Sequence, residues 1–184
     1  MSLYRFHTPD SAPEASRPVL ADAERKLGFV PNLYAGLANA PAVLEGYLAV
    51  SACFEKSSLT PTERQVVLLV TSVVNGCEFC VAAHSMIAKA MVGVPADVVA
   101  ALREQKEPDD ARLAALSEFT RVVVEQRGWV ADHPAFSRFM AAGYTPAQAL
   151  EVMLGVTQKT LSNYANHLLG APLNAVFEAE RWSR

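Results

Sequence analysis

Cys77, Cys80 and His84, spaced three and four residues apart, are the side chains of this sequence best suited to covalent chemistry. Asn75-Gly76 just before them is a strong break signal, so the apolar helix that precedes it ends there and a new one begins at or next to Cys77. At roughly 100° per residue, positions 77, 80 and 84 fall within about 60° of one another on one helix face. A helix start offers unpaired N–H groups and the positive end of the peptide dipoles, which favour thiolate over thiol and lower a cysteine pKa from its ordinary ~8.5. The spacing predicts two acidified sulfurs and an imidazole meeting at an exposed helix tip.

A thiolate in that setting attacks a hydroperoxide oxygen, becomes a sulfenic acid and releases water or an alcohol. A second thiol then condenses with it to a disulfide, which an outside dithiol reduces by exchange. His84 lies one turn from Cys80 and two from Cys77, so the imidazole can deprotonate Cys80 or pair with it as imidazolium. Cys80 is therefore read as the attacking thiol and Cys77 as the resolving one, although Cys77 lies nearer the helix start. Blander readings stand beside this one. The cysteines could be small buried residues, or, with His84, three ligands of a structural zinc site that lacks an evident fourth. Covalent haem is disfavoured because Val81 stands where that motif needs histidine.

The elements that would position these groups read as helices throughout, with periodic segments near 18–27, 41–56, 61–74, 77–91, 95–104, 110–126, 134–142, 146–169 and 173–181 and no confident strand. Proline sits at or near the first turn of most, and Gly28, Gly93, Gly128 and Gly143 follow four of them. Thr60-Pro61-Thr62-Glu63 and Thr145-Pro146-Ala147-Gln148 share the capping-box pattern, and each helix leads to a histidine, His84 or His167, which hints at a degenerate internal repeat. Glu63 can thus be a capping residue as readily as a catalytic one, and Gln65 reads as a hydrogen-bonding helix residue. In the second unit Leu150, Leu154, Thr157, Leu161, Tyr164 and Leu168 keep a three-four spacing that suits packing against another helix or subunit, and the stripe reads as ordinary core. His167 reads as a packing or interface residue, His7 and His133 as surface or helix-start residues, and Cys53, between Ala52 and Phe54, as core.

With 184 residues, half of them hydrophobic and a fifth charged, the chain is expected to form one domain, 1–184. A net charge of −3 and the lack of any dense basic run argue against nucleic acid. The longest apolar stretch is about half the ~20 residues a membrane span requires, so no membrane partner is expected. No basic-then-apolar leader is visible at the amino terminus, which points to the cytoplasm, and in that reducing compartment a close cysteine pair is more often catalytic than structural. No cofactor or metal is expected.

The stretch from Leu59 to His84, with Thr62-Glu63-Arg64-Gln65 leading an apolar helix into Asn75-Gly76-Cys77-Glu78-Phe79-Cys80 and then His84, resembles the alkylhydroperoxidase D (AhpD) core of the carboxymuconolactone decarboxylase superfamily. Gly28-Phe29-Val30-Pro31-Asn32 and the segment 163–167 resemble flanking parts of its peroxidase-related branch, with the core motif at about 41–91. The resemblance implies an all-α helical bundle, a homo-oligomer such as a trimer or hexamer, the second cysteine as peroxide-attacking thiol, and an assisting histidine. It departs from the family at two places: Gln65 stands where the family's peroxidase motif has glutamate, and Phe79 where the well-studied peroxidase has histidine between the cysteines. A proton relay of that type lacks two members here, and Glu63, two residues from Gln65, points to the other side of its helix.

Three activities fit these residues. The first is a thiol-dependent peroxidase or disulfide oxidoreductase, acting on a hydroperoxide and re-reduced by a lipoyl protein, a thioredoxin or a small thiol, with Cys80, Cys77, His84 and Glu63 as its site. The second is a cofactor-free decarboxylase like the lactone-decarboxylating relatives, and the third a non-enzymatic redox sensor on the same scaffold.

Overall fold

In the computed structural model of the protein, residues 3–184 are described; Met1 and Ser2, which belong to the stretch read above for a leader, lie outside them. The helices are α1 (Arg17–Leu27), α2 (Asn32–Leu37), α3 (Pro41–Phe54), α4 (Pro61–Val74), α5 (Glu78–Met86), α6 (Ala96–Arg103), α7 (Ala111–Glu125), α8 (Pro134–Ala141) and α9 (Pro146–Leu169). Among the described residues there is no strand. The described residues form a single all-α domain.

Central helix α4 packs against α7, α9 and α5. An unbroken run from Gln65 to Val73 is buried, as expected of a helix apolar all round. Its two hydroxyls are satisfied within the helix: Thr71 donates to the Val67 carbonyl (2.8 Å) and Ser72 to that of Leu68 (2.7 Å). Both capping boxes close. Glu63 N–H donates to Thr60 Oγ1 at 3.2 Å and Gln148 N–H to Thr145 Oγ1 at 3.2 Å, with each partner side chain returning the bond. α4 carries its chain to Gly76, whose φ of +68° makes the turn into α5, and the Cys77 N–H donates to Ser72 O at 2.9 Å.

One core cluster fills the space between α4, α6, α7, α8 and the first half of α9. A second lies between α1–α3, α5, the end of α9 and a 3₁₀ turn, Ala175–Glu180, and it contains both Cys77 and Cys80. Asn32 and Asn174 stitch this second region together: Asn32 N–H donates to Asn174 Oδ1 (2.9 Å) and Asn32 Nδ2 to Pro172 O (2.9 Å).

Three elements differ from the periodicity. α2 is too short, and too rich in small residues, to register as a pattern, yet it lets the backbone at Gly36 approach α9 so closely that a Cβ there would lie 2.6 Å from Leu169 Cδ1. The helix expected over 77–91 is α only to Met86 and continues as a π turn, Ile87–Val92, a widening often found beside functional sites. The last expected helix is the 3₁₀ turn.

Two burial expectations are corrected. Cys53 is exposed; α3 is apolar on nearly every side, and its neighbour Phe54 takes the buried position against Gly155. The Leu150–Leu168 stripe of α9 is core only in part: Leu154 and Leu161 pack against the core clusters, while Leu150, Tyr164 and Leu168 face outward at 72%, 59% and 69% exposure. His167 is exposed beside it, its ring stacked on Tyr164.

Candidate active site

Cys77 is the N-cap residue of α5 and Cys80 its third residue, as the Asn75-Gly76 break predicts. The helix tip is not exposed, however: each cysteine is only 1% accessible, and both are free thiols. The burial has a clear cause. α9 and the 3₁₀ turn close over the start of α5, and Phe177 packs edge-on against Phe79 with ring centroids 5.9 Å apart.

Cys80 reaches solvent through a cleft of about 440 Å³ whose walls include Phe29, Tyr34, Tyr47, Phe79, Met86 and Phe177. His84, Gln65 and Lys159 also line it. Tyr34 and Tyr47 meet edge to face at 5.9 Å, and burial pushes the Tyr47 phenol up to about 12, so both keep their protons.

The polar groups around the sulfurs come from α9. Gln158, Lys159, Ser162, Asn163 and Asn166 are all buried and lie on the inward side of that helix. Asn166 Nδ2 donates to Cys80 Sγ at 3.2 Å and lies 3.9 Å from Cys77 Sγ. Asn163 accepts from Asn75 Nδ2 (3.0 Å) and donates toward Ser72 Oγ (3.5 Å), fixing the α4–α5 corner to α9. Gln158 Nε2 donates to Ser51 Oγ at 3.0 Å and ties in α3.

Lys159 is 1% exposed, and among the described residues no carboxylate pairs with it. The cleft's carboxylate, Glu55, is itself exposed and 3.4 Å from Arg64. A buried ammonium requires an anion close by, and Cys80 can become one. Burial opposes ionisation of Cys80, but a hydrogen bond from the Cys77 thiol, the positive charge of Lys159 and the amides of Asn166 and Asn163 outweigh it and set its pKa well below that of an ordinary thiol. Cys77 is driven the opposite way, since it donates to Cys80 and is itself buried. The pair thus holds one proton, on Cys77.

His84 stands differently from the expectation. Its Nδ1 is 3.0 Å from Gln65 Oε1; that oxygen only accepts, so Nδ1 carries the proton and Nε2 is left with a lone pair. Burial, then the charge of Lys159, lowers the His84 pKa well below its usual value, so the ring is neutral and not an imidazolium partner for Cys80. Lys159 is the cation at this site. Gln65, at the position where the family motif has glutamate, orients the imidazole.

Glu63 is not brought to the pair. It closes the α4 capping box, and its Oε1 accepts from Arg112 Nε at 2.9 Å, while Arg112 lies over the Tyr144 ring at 3.9 Å. Burial works against its carboxylate, but the Thr60 N–H and Arg112 hold its pKa below the usual range. Among the described residues no group of three or more His, Cys, Asp or Glu side chains is gathered to hold a metal, and no helix is long and apolar enough to cross a membrane.

Sequence reasoning found the pair, His84 and Gln65 but missed Lys159, Asn163 and Asn166. The signal was present as the i, i+4, i+7 spacing of these three polar residues inside an otherwise amphipathic helix.

Residues 41–121 match the carboxymuconolactone decarboxylase family. No match is found among the curated proteins. Among solved structures, an uncharacterized peroxidase-related protein with an alkylhydroperoxidase AhpD core, from Ralstonia eutropha JMP134, superposes with a TM-score of 0.85 at 24% identity over 100% of this chain and 98% of that one. The debrominase Bmp8 (C82A, with 2,3,4-tribromopyrrole) gives 0.81 at 19% identity over 98% and 96%. A peroxidase-related protein from Silicibacter sp. TM1040 gives 0.81 at 18% identity over 96% and 93%. Residues 41–121 thus carry the carboxymuconolactone decarboxylase family's sequence pattern, and the chain has the AhpD-like fold along its whole length.

Proposed function

We propose that the protein is a thiol-dependent peroxidase of the disulfide-oxidoreductase type, with Cys80 attacking and Cys77 resolving. The observation that carries this reading is that Cys80, whose thiolate is favoured by a buried lysine and an amide donor, lines a mainly apolar cleft with five Phe and Tyr rings in its walls. The Cys80 thiolate attacks the terminal oxygen of ROOH, the O–O bond breaks, and the departing alkoxide takes a proton to leave as ROH. His84 Nε2 and the two protonated tyrosines face the same space and can relay that proton. Cys77 then displaces hydroxide from the sulfenic acid; its own proton goes with the oxygen as water, and a disulfide results. Two electrons from an external dithiol restore the pair.

The aromatic walls suit an organic hydroperoxide better than hydrogen peroxide, since an apolar R group gains from burial there. The outward apolar face of α9 supports a homo-oligomer, and a reducing cytoplasm fits a pair that cycles through the dithiol.

The test is cumene hydroperoxide consumption with dithiothreitol as reductant, alongside intact-mass analysis. The wild type should turn over and lose both thiol hydrogens after one equivalent of peroxide, and Cys80→Ser should lose turnover by at least about a thousandfold. Two free thiols after peroxide treatment would sink the reading.

The same cleft favours a second reading, reductive dehalogenation of a halogenated aromatic, since its ring-lined walls would hold such a substrate and a debrominase shares the fold. There the thiolate takes the halogen as a sulfenyl halide, the ring carbon gains a proton, and Cys77 expels halide. Bromide release from a bromopyrrole or bromophenol, without peroxide turnover, would favour it.

A further inference from the structure

The two sulfurs open toward different spaces. Cys80 lines the aromatic cleft and Cys77 does not. Cys77 lines a separate groove of about 280 Å³ on the other side of α5, bounded by Gly76, Glu78, Asn166, His167 and Gly170, and Cys80 does not. Phe79, between the cysteines in sequence, lines both, so its ring is the partition. Phe177 braces it from behind.

We propose that oxidation and reduction of the pair use these opposite mouths: the hydroperoxide meets Cys80 in the aromatic cleft, and the reductant's thiol enters the groove beside the carboxyl end of α9 and attacks Cys77. The proposal rests on the reading that the pair cycles between dithiol and disulfide, and adds which sulfur is attacked and from where.

Chemistry and access agree on this direction. In thiol–disulfide exchange the sulfur with the lower pKa leaves faster, and here that sulfur is Cys80, stabilised by Asn166 and Lys159. A nucleophile arriving from the groove meets Cys77 first and expels Cys80 toward those two groups. The reductant's thiolate forms a mixed disulfide with Cys77 as the Cys77–Cys80 bond breaks. The reductant's second thiol then attacks its own half of that mixed disulfide, and Cys77 leaves and takes up a proton. The dithiol is oxidised by two electrons, its two protons going to Cys77 and to solvent, and Cys80 stays a thiolate. With Cys77 only 1% exposed at the groove's base, the occupant is a thiol on a slender arm, not the flat surface of a folded protein.

His167 is exposed on the groove wall, so His167→Trp narrows that mouth without touching the cleft. In stopped-flow measurements on the full chain, reduction of the disulfide by dithiothreitol should slow about tenfold in His167→Trp, while oxidation of the dithiol by cumene hydroperoxide stays within twofold. Adding Phe79→Ala, which opens the partition, should restore most of the lost reduction rate. A second arm needs no variant: the oxidised wild type is treated briefly with limiting 2-mercaptoethanol, quenched in acid and mapped by peptide mass, and the adduct should sit on Cys77 in at least tenfold excess. An adduct mainly on Cys80, or equal slowing of both half-reactions in His167→Trp, overturns the two-mouth proposal. Failure of peroxide to form any disulfide would instead strike the peroxidase reading beneath it.

Discussion

The carboxyl-terminal half of α9 inverts the usual amphipathic arrangement. Its buried side carries Gln158, Lys159, Ser162, Asn163 and Asn166, while Tyr164 and Leu168 stand in solvent on the other. A helix placed only by the hydrophobic effect would turn the other way round. Two counter-forces hold it. The inward polar groups make hydrogen bonds to α3, the α4–α5 corner and the sulfurs, which offset part of the cost of their burial, while Gln158 Oε1 and Asn166 Oδ1 stay unpartnered. Gly155, meanwhile, lets α9 sit against Phe54 and Val67, where a Cβ would come within 2.7 Å of Val67 Cγ1. The inner face is polar where it meets the sulfurs and the α4–α5 corner, and the outer face carries the apolar patch proposed above as an oligomer contact.

Removing the inner cation should have the largest effect. Lys159→Met keeps the volume and deletes the charge, so the Cys80 pKa should rise from about 5 by at least one unit, and the midpoint of the pH–rate profile should move up with it; the rate measured about one pH unit below the original midpoint should fall about tenfold per unit of rise. Thiolate absorbance near 240 nm against pH, and the pH–rate profile, both read this. The stability of the disulfide form should rise, since that form leaves Lys159 without an anion. An unmoved thiol titration would break the contrast between the faces.

Stability against pH sharpens the same contrast in the unmodified protein. The Cys80 pKa is lowered on folding, so its contribution is complete above the unfolded value of about 8.5 and is lost progressively as pH falls below it. Cys77 is raised, so its contribution holds below about 8.5 and is lost as pH rises beyond. The stability of the reduced form minus that of the disulfide form should therefore peak near pH 8.5. His84, held neutral, destabilises both forms below about pH 6.5 and cancels in the difference. Urea melts of the two forms from pH 6 to 10 measure the curve, and a monotonic difference would contradict the proton sharing.

How much of this was legible in the sequence depends on how local the cause was. Capping boxes, the Asn75-Gly76 break and the cysteine spacing are set within a few residues of chain, and the structure forms the helix starts they predict. Which face of a helix is buried is a tertiary matter. α3 and α9 carry apolar residues on more than one side, so composition could not show that Phe54 is buried while Cys53 is exposed, or that Lys159 turns inward. The spacing of His84 from Cys80 was read correctly as one turn, but its ring bonds to Gln65 nineteen residues away in sequence, a partner no local rule reveals.

Glu63 tests whether buried charge outside α9 matters to the chemistry. Glu63→Ala removes the capping oxygen and Arg112's partner together, for a loss of about 1–2 kcal/mol in urea unfolding. Glu63→Gln should lose less, because Gln148 closes the equivalent box on α9. In both, the Cys80 titration and peroxide rate should stay within twofold of wild type. A larger kinetic change would return Glu63 to the site.

The smallest effect on the protomer should come from the outer face. Tyr164→Glu with Leu168→Glu places two charges on side chains already in solvent, so each protomer should keep its unfolding free energy within about 0.5 kcal/mol. In an assembly those same positions would be desolvated, and two unpaired carboxylates there would be strongly unfavourable. Sedimentation velocity should accordingly show the wild type as an oligomer and the double variant as a smaller species, with the thiol titration unchanged. A wild type that sediments as a monomer at tens of micromolar would leave the outward leucines without a covering neighbour, and the inversion of α9 would then rest on its inner face alone.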